Sequence, residues 1–168
     1  MLVNNASAFE PDSARAPDWS AWQRHFDLHL RAPAQLAAAF ARQKGVDGGS
    51  IVNMIDQRVL RLNPRFYSYT LSKSALWTAT RTMAQEFAPK IRVNAISPGP
   101  TLPNLRQGTA DFRRQIAGLP LKRGPALAEF GRTVRFLHET PSITGQMIAL
   151  DGGQHLAWET PDIADISE

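Results

Sequence analysis

Residues 50–73 read SIVNMIDQRVLRLNPRFYSYTLSK and join an apolar run, a polar loop and a helix. The run Ile51 to Ile55 is typical of a buried strand. In the helix Tyr69 and Lys73 are one turn apart, so their side chains share a face. An ammonium near a phenol favours the phenolate, which predicts a lowered pKa for Tyr69 and a general acid or base that works near neutral pH. The alternative is a surface tyrosine beside a lysine on an ordinary helix.

The composition describes a globular protein. The chain has 168 residues, 43% hydrophobic and 20% charged, so we expect one domain, 1–168, with an apolar core. Without cysteine there are no disulfides and no thiolate metal sites. We find neither a signal peptide nor an apolar run long enough to span a bilayer, and expect a cytoplasmic protein with no membrane partner. Residues 159–168 carry acids and no base and are predicted to form a flexible acidic tail.

The charge balance gives little support for nucleic-acid binding. The formal net charge is +4, from 19 Lys and Arg against 15 Asp and Glu. The basic residues are scattered along the chain and form no cluster, whereas a nucleic-acid site needs a patch or stripe. A basic face could equally suit an anionic cofactor. We therefore expect a small-molecule substrate and no nucleic-acid partner.

Strands and helices alternate along the chain. Strands are predicted at 1–4, 51–55, 91–96 and 147–150, and helices at 18–43, 66–88, 110–117 and 127–137. This alternation predicts an α/β fold with a parallel sheet and helices on both faces. In such sheets ligands bind beyond the carboxyl ends of the strands. Asn4-Asn5, Asp56 and Pro98-Gly99 follow three of the strands, so we expect them to meet at one edge.

The first predicted helix begins after Asp18, a plausible N-cap. Its apolar positions follow helical spacing; they are Trp22, Phe26, Leu30, Leu36, Ala39 and Phe40. Pro33 lies inside the helix and has no N–H to donate to the carbonyl of His29, so we expect a kink with that carbonyl left free. His25 and His29 are four residues apart and could share a metal ion, but we find no third ligand and expect no metal site.

Four motifs, in the family's order, resemble the short-chain dehydrogenase/reductase family. They are Asn4-Asn5-Ala6-Ser7, Tyr69-x-x-x-Lys73, RVNAISPGPT at 92–101, and Thr144-Gly145-Gln146 through Asp151-Gly152-Gly153. The resemblance covers nearly the whole chain. It implies a doubly wound Rossmann fold and an oxidoreductase that reduces a small carbonyl or pterin-like substrate by hydride transfer. It also favours NADP(H) over NAD(H) and implies a homo-oligomer, a dimer or tetramer.

The resemblance also implies roles for single residues. Tyr69 would protonate the substrate atom as hydride adds to its neighbour, and Lys73 would hold the cofactor ribose and tune Tyr69. The remaining cofactor contacts would come from Asn4, Asn5, Ala6 and Ser7 on the adenosine side and from Pro98, Gly99 and Thr101 at the nicotinamide carboxamide.

Two positions depart from the usual family pattern. The usual serine is Asp56 here, as in pteridine reductases and dihydromonapterin reductases. In that branch a phenylalanine at the position of Phe9 stacks on the pterin ring, which implies that Phe9, Asp56 and Tyr69 bind the substrate. Asp56 would accept from ring N–H groups and help to relay a proton. The alternatives are a turn aspartate that caps local backbone and a phenylalanine that anchors a loop.

The second departure is His29, which replaces the usual asparagine. In the family the main-chain carbonyl of that residue holds a water on the proton path, and the resemblance carries this catalytic role to His29. Pro33 would leave the carbonyl available whatever the side chain. The alternative is a helix histidine whose hydrogen bonds are satisfied by the protein.

The glycine-rich G-x-x-x-G-x-G turn that cradles the cofactor pyrophosphate in the family does not occur in this sequence. By resemblance the chain corresponds to the C-terminal two-thirds of a member, and its sheet lacks the first three family strands. We therefore read Met1 as an internal methionine taken as a start, or as the first residue of a truncated product, and expect impaired cofactor binding. The alternative function is a catalytically silent remnant that acts as an oligomerisation partner.

Overall fold

The structure is a computed structural model that describes residues 1–45, 47–103 and 107–164. A parallel sheet has the strand order β1-β2-β3-β4, with β1 at Leu2–Asn4, β2 at Gly49–Met54, β3 at Ile91–Pro98 and β4 at Met147–Leu150. The α-helices are Trp19–Phe26 (α1), Ala32–Ala41 (α2), Tyr67–Phe87 (α3), Thr109–Ala117 (α4) and Leu127–Glu139 (α5). Asp27–Arg31 is a π-helical turn, and Gln57–Val59 and Gln154–Leu156 are 3-10 turns. The predicted α/β fold with a parallel sheet is confirmed.

Helices cover both faces of the sheet. Successive residues of a strand point to opposite sides, so each strand contributes core side chains to both faces. Ile51 and Val93 pack under α2 and α3. Val52 and Ile96 pack on the other face, against Leu137 of α5. This arrangement is the partial doubly wound fold expected from the sequence. Within the described ranges, no helix is long and apolar enough to cross a membrane.

Of the acidic tail predicted at 159–168, residues 165–168 lie outside the described residues, and 160–164 form a turn in which the Ile163 amide donates to the Thr160 carbonyl.

A chain of buried amides ties β1 to α3. Asn4 Nδ2 donates to Asn53 Oδ1 at 2.7 Å, and Asn53 Nδ2 donates to Thr80 Oγ1 at 2.9 Å. Asn4 and Asn53 are register partners in the ladder between β1 and β2. Buried polar groups cost free energy unless they are paired, so these bonds favour this register over others.

The interruption predicted at Pro33 takes the form of the π-helical turn that precedes it. The amide of Ala32 donates to the carbonyl of Asp27, five residues earlier, which is the π-helical pattern. Asp18 is the N-cap, as predicted: its Oδ1 accepts from the amides of Ser20 and Ala21 at 2.9 and 3.0 Å.

The apolar positions at helical spacing in this first segment are not its most buried face. The most buried residues form a different stripe, at Ala21, His25, His29, Pro33 and Ala37. The predicted residues flank that stripe, and Leu36 is 51% exposed. The reason is that the segment packs on α3 through small and hydrogen-bonded side chains, which allow a close approach that a row of large apolar residues would prevent.

Polar residues of β3 hold the end of α5. Arg92 donates through Nη1 to the Leu137 carbonyl at 2.6 Å and through Nη2 to the His138 carbonyl at 2.7 Å. Helix-terminal carbonyls lack intrahelical partners and carry partial negative charge, so a cation there is stabilising. Asn94 Nδ2 donates to the Ile143 carbonyl, and Asn94 Oδ1 accepts from the Gln146 amide. These residues of the 92–101 motif therefore hold the sheet and helix together.

Glycines let three backbone segments pack without side chains between them, and this packing positions the loop after β3. A Cβ on Gly99 would lie 2.6 Å from Cα of Asp151. Gly152 has φ of +64°, and a Cβ there would lie 2.3 Å from the Arg123 carbonyl oxygen. Both positions therefore exclude any larger residue in this arrangement.

We predict that Gly152→Ala lowers the free energy of unfolding by about 2 kcal/mol or more, because it adds a backbone clash to a left-handed conformation. Gly131→Ala is the matched control: nothing lies within 4 Å of its Cβ position inside α5. There alanine should stabilise the helix by roughly 0.5–1 kcal/mol. Urea unfolding measures both, and equal effects of the two substitutions would contradict the packing described.

Candidate active site

A cavity of about 1070 Å³ opens at the carboxyl ends of β2 and β3. The predicted site residues that line it are Phe9, Asp56, Tyr69, Pro98, Gly99 and Thr101. The structure therefore brings the strand-end residues, the helix residue and the loop phenylalanine to one place. Arg58, Arg61 and Arg65 also line the cavity, so its outer wall is basic.

The Tyr69 phenol and the Asp56 carboxylate form the floor of the cavity. The O–H of Tyr69 donates to Asp56 Oδ2 at 2.8 Å, and Tyr69 is 5% exposed. Asp56 Oδ1 accepts from the Arg58 amide at 2.8 Å, and the Arg58 guanidinium reaches both carboxylate oxygens at 3.4 and 3.3 Å. Asp56 thus caps the turn at 57–59 with one oxygen, as in the capping alternative, and holds Tyr69 with the other.

The pKa of Tyr69 moves opposite to the sequence-based expectation. Burial raises the pKa of the phenol well above its ordinary value, and the negative charge of Asp56 raises it further. The expected lowering by Lys73 is therefore wrong in this structure, because spacing on a helix says nothing about burial or about a facing carboxylate. The phenol stays protonated near neutral pH and is a hydrogen-bond donor.

Lys73 lies one turn further along α3 and is 2% exposed. Its Nζ donates to the Met54 carbonyl at 2.9 Å and lies 5.8 Å from the centroid of the Tyr69 ring. Burial lowers the pKa of Lys73 to about 8, against an opposing effect of Asp56. An ammonium has three N–H groups, so further hydrogen bonds can be made to a ligand.

Phe9 is part of the wall, next to the phenol. Its ring stacks on Phe66 at 4.3 Å and 15° and meets the Tyr69 ring edge-on at 4.8 Å and 75°. The guanidinium carbon of Arg58 lies 4.9 Å from the centroids of both phenylalanine rings. The Phe9 ring is therefore held against both Phe66 and the phenol at the wall of the cavity.

His29 does not line the cavity but lies behind Tyr69, 5.3 Å from its ring and nearly perpendicular to it. Its Nε2 accepts from the Ala8 amide at 3.1 Å, and its Nδ1 lies 2.8 Å from Ser72 Oγ. Burial, with the charge of Lys73, lowers the pKa of His29 to about 3. The side chain therefore matches the alternative of a satisfied helix histidine, with both ring nitrogens engaged by the protein.

The turn at 4–7 lies at the carboxyl end of β1, beside the cavity. The Asn4 side chain points into the sheet towards Asn53, whereas Asn5, Ala6 and Ser7 are exposed. Ser7 Oγ lies 3.0 Å from Nε2 of His29 and within hydrogen-bonding reach of the Tyr69 phenol. The segment therefore approaches the site with its backbone and the Ser7 hydroxyl.

Sequence reasoning missed Arg58 and Phe66. Arg58 fixes the carboxylate of Asp56, and Phe66 supports the ring of Phe9. A signal for Arg58 was present, because an aspartate that caps a turn accepts from the amide two residues later. No such signal in the sequence points to Phe66, since its ring and that of Phe9 come from distant parts of the sequence.

A family model described as enoyl-(acyl carrier protein) reductase, one of the short-chain dehydrogenase/reductases, matches residues 1–155. The chain belongs to the short-chain dehydrogenase/reductase family. The match covers the segments at Tyr69 and at 92–101, and the family name describes the fold.

Several relatives within the short-chain dehydrogenase/reductase family are similar over most of this chain. The FolM alternative dihydrofolate reductase 1 of Brucella suis, crystallised in complex with NADP, is 64% identical with a TM-score of 0.93, over 97% of this chain and 66% of that one. Dihydromonapterin reductase of Escherichia coli is 31% identical, over 92% of this chain and 66% of its own length. Protein FixR of Bradyrhizobium diazoefficiens is 36% identical, over 92% of this chain and 59% of its own length. The chain thus spans less than two thirds of the length of these curated relatives.

We predict that His29 makes the fold acid-sensitive. Because the pKa of His29 is about 3 in the folded chain and 6.5 without the fold, the unfolded state binds a proton first as the pH falls. The contribution of His29 to the free energy of unfolding is complete above its pKa in the unfolded chain. Below that pKa the contribution falls by about 1.4 kcal/mol per pH unit, which amounts to about 2 kcal/mol by pH 5.

Urea unfolding at neutral pH and at pH 5 tests this. His29→Gln, which keeps an acceptor but does not titrate, should flatten the pH dependence by that amount. His138→Gln is the control, because His138 is exposed. An unchanged slope in His29→Gln would refute the prediction.

Proposed function

We propose that the protein is an NADPH-dependent reductase of a pterin-like ring. The observation that carries the proposal is the Tyr69–Asp56 hydrogen bond at the floor of a cavity walled by Phe9. Two relatives support it by name, since one is a dihydromonapterin reductase and the other a FolM alternative dihydrofolate reductase crystallised with NADP.

The residues present fit a nicotinamide cofactor. The buried ammonium of Lys73 has one acceptor in the described part of the chain, Met54, and therefore has N–H groups for the hydroxyls of a cofactor ribose. Pro98, Gly99 and Thr101 line the cavity and would hold the carboxamide. The backbone at 4–7 would line the adenosine side. NADPH, when bound, supplies the hydride.

Tyr69 would supply the proton. The raised pKa keeps the phenol protonated, so it can give its proton to a substrate atom that gains negative charge. Its hydrogen bond to Asp56 fixes the direction of the O–H. As a substrate ring enters, the phenol would exchange this acceptor for a ring atom, and the main-chain carbonyl of His29 would hold a water on the path that restores the proton.

Asp56 and Phe9 would select the substrate. A carboxylate accepts hydrogen bonds and so suits the N–H groups along the edge of a pterin. An aromatic wall suits a flat ring, for which stacking is worth roughly 0.5–1.5 kcal/mol beyond area burial. An ordinary carbonyl substrate needs neither feature, which favours the pterin-like ring over a simple ketone or aldehyde.

We predict that Tyr69→Phe reduces turnover about a hundredfold or more with little change in NADPH affinity, because it removes only the proton donor. Tyr67→Phe is the matched control, since Tyr67 is a neighbouring tyrosine outside the cavity lining. Turnover is measured as NADPH consumption with a dihydropterin. The assay uses the chain itself and a chimera that carries, before Met1, the region of the Brucella suis protein that precedes the match. Full activity of Tyr69→Phe would overturn the assignment.

We further predict that the 168-residue chain alone shows no micromolar binding of NADPH in titration calorimetry. The reason is that its sequence has no glycine-rich turn to cradle the pyrophosphate. The chimera should bind in the micromolar range. Micromolar affinity of the chain alone would show that the residues at 4–7 and 98–101 suffice.

The second candidate function is an oligomerisation partner without catalysis. The observation that favours it is the edge position of β1, which pairs only with β2 in the described sheet and leaves Val3 38% exposed. Open strand edges invite pairing with another chain. Here Tyr69→Phe would change nothing measurable, and light scattering would show the dimer or tetramer in both variants.

A further inference from the structure

Two buried histidines connect α1 and the π-helical turn to α3 and to the loop that carries Phe9. His25 and His29 are four residues apart on one side, and Ser68 and Ser72 are four residues apart on the other; all four are 0% exposed. The imidazole rings stack at 5.5 Å and 14°. Neither histidine lines the cavity, so the pair lies behind the site.

Each ring is held on both sides by the protein, and Nε2 of His29 also lies 3.0 Å from Ser7 Oγ. Nε2 of His29 accepts from the Ala8 amide at 3.1 Å, and Nε2 of His25 accepts from the Glu10 amide at 3.3 Å. On the opposite side, Nδ1 of His29 lies 2.8 Å from Ser72 Oγ, and Nδ1 of His25 lies 2.9 Å from Ser68 Oγ. Because a backbone N–H can only donate, both rings carry their proton on Nδ1 and donate it to a serine.

The two anchored amides flank Phe9. The loop is fixed on either side of the residue whose ring meets Tyr69 at 4.8 Å. Both imidazoles also contact Tyr69 edge-on, at 5.6 and 5.3 Å. The histidine pair therefore controls the distance between the phenol and the aromatic wall.

We propose that His25 and His29 are positioning residues that clamp the loop 8–10 onto α3 and thereby hold Phe9 against Tyr69. The inference rests on the proposed function only in treating this wall as the substrate wall. Protonation would place an N–H on Nε2, facing the amide N–H, and would open the clamp. The charged groups that face His29 are Lys73 and His25, and those that face His25 are Glu10, Asp12, Asp18 and Arg24.

Amide hydrogen exchange on the complete chain tests the clamp without turnover. His29→Leu removes the acceptor and should speed exchange of the Ala8 amide roughly tenfold, whereas His25→Leu should do the same at Glu10. His29→Gln retains an acceptor at a similar reach and should restore slow exchange. His138→Leu, at an exposed position, is the control. Exchange at Ala8 and Glu10 that stays as in the wild type would overturn the proposal, as would a uniform increase along α3.

A spectroscopic measurement on the unmodified protein covers the case in which the leucine variants do not fold. Imidazole ¹⁵N shifts should show both buried rings protonated on Nδ1 at neutral pH. Protonation on Nε2 in either ring would contradict the clamp. In the chimera, His29→Leu should raise KM for the dihydropterin more than it lowers kcat, with recovery in His29→Gln. If the reductase proposal fails, no variant turns over, yet the exchange and ¹⁵N results still decide the clamp.

Discussion

The hydrogen bond from the Tyr69 phenol to the Asp56 carboxylate is the contact around which the site is built. Both groups are largely buried, and each would cost free energy without a partner. The bond joins α3 to the end of β2, and the ring of Phe9 then packs on the phenol from a third segment. Polar pairing thus decides where these segments meet, while apolar packing on the two faces of the sheet decides how firmly they are held.

The same physics explains why α3 buries so many polar side chains. Ser68, Ser72 and Thr80 are all 0% exposed, and each bonds a histidine, an asparagine or a backbone carbonyl. Small hydroxyl side chains let the neighbouring helix approach closely while the hydrogen bonds remove the cost of burial. The interface therefore depends on these paired side chains, which makes it specific and sensitive to protonation.

The sequence predicted the strands and the site edge well because those signals are local. β4 lies at Met147–Leu150 as predicted, and α3 differs from its prediction by one residue at each end. Asp56 and Gly99 meet because parallel strands end on one side of the sheet. The core face of the first helical segment was not predictable, because histidines are rarely counted as core and their serine partners are far away in sequence. The predicted direction of the Tyr69 pKa shift was wrong for the same reason, since burial depends on the tertiary structure.

The two departures from the family pattern act on the same ring from different sides. Asp56 accepts from the hydroxyl and raises the pKa of Tyr69, while His29 and its neighbour His25 pack edge-on against the ring and anchor the loop that bears Phe9. A phenol that is harder to ionise is a weaker acid, so it keeps its proton until a neighbouring atom becomes basic enough to take it. A flat ring also needs a wall at a fixed distance. The acid and the wall therefore meet at one residue, because Tyr69 bonds Asp56 and also packs against Phe9.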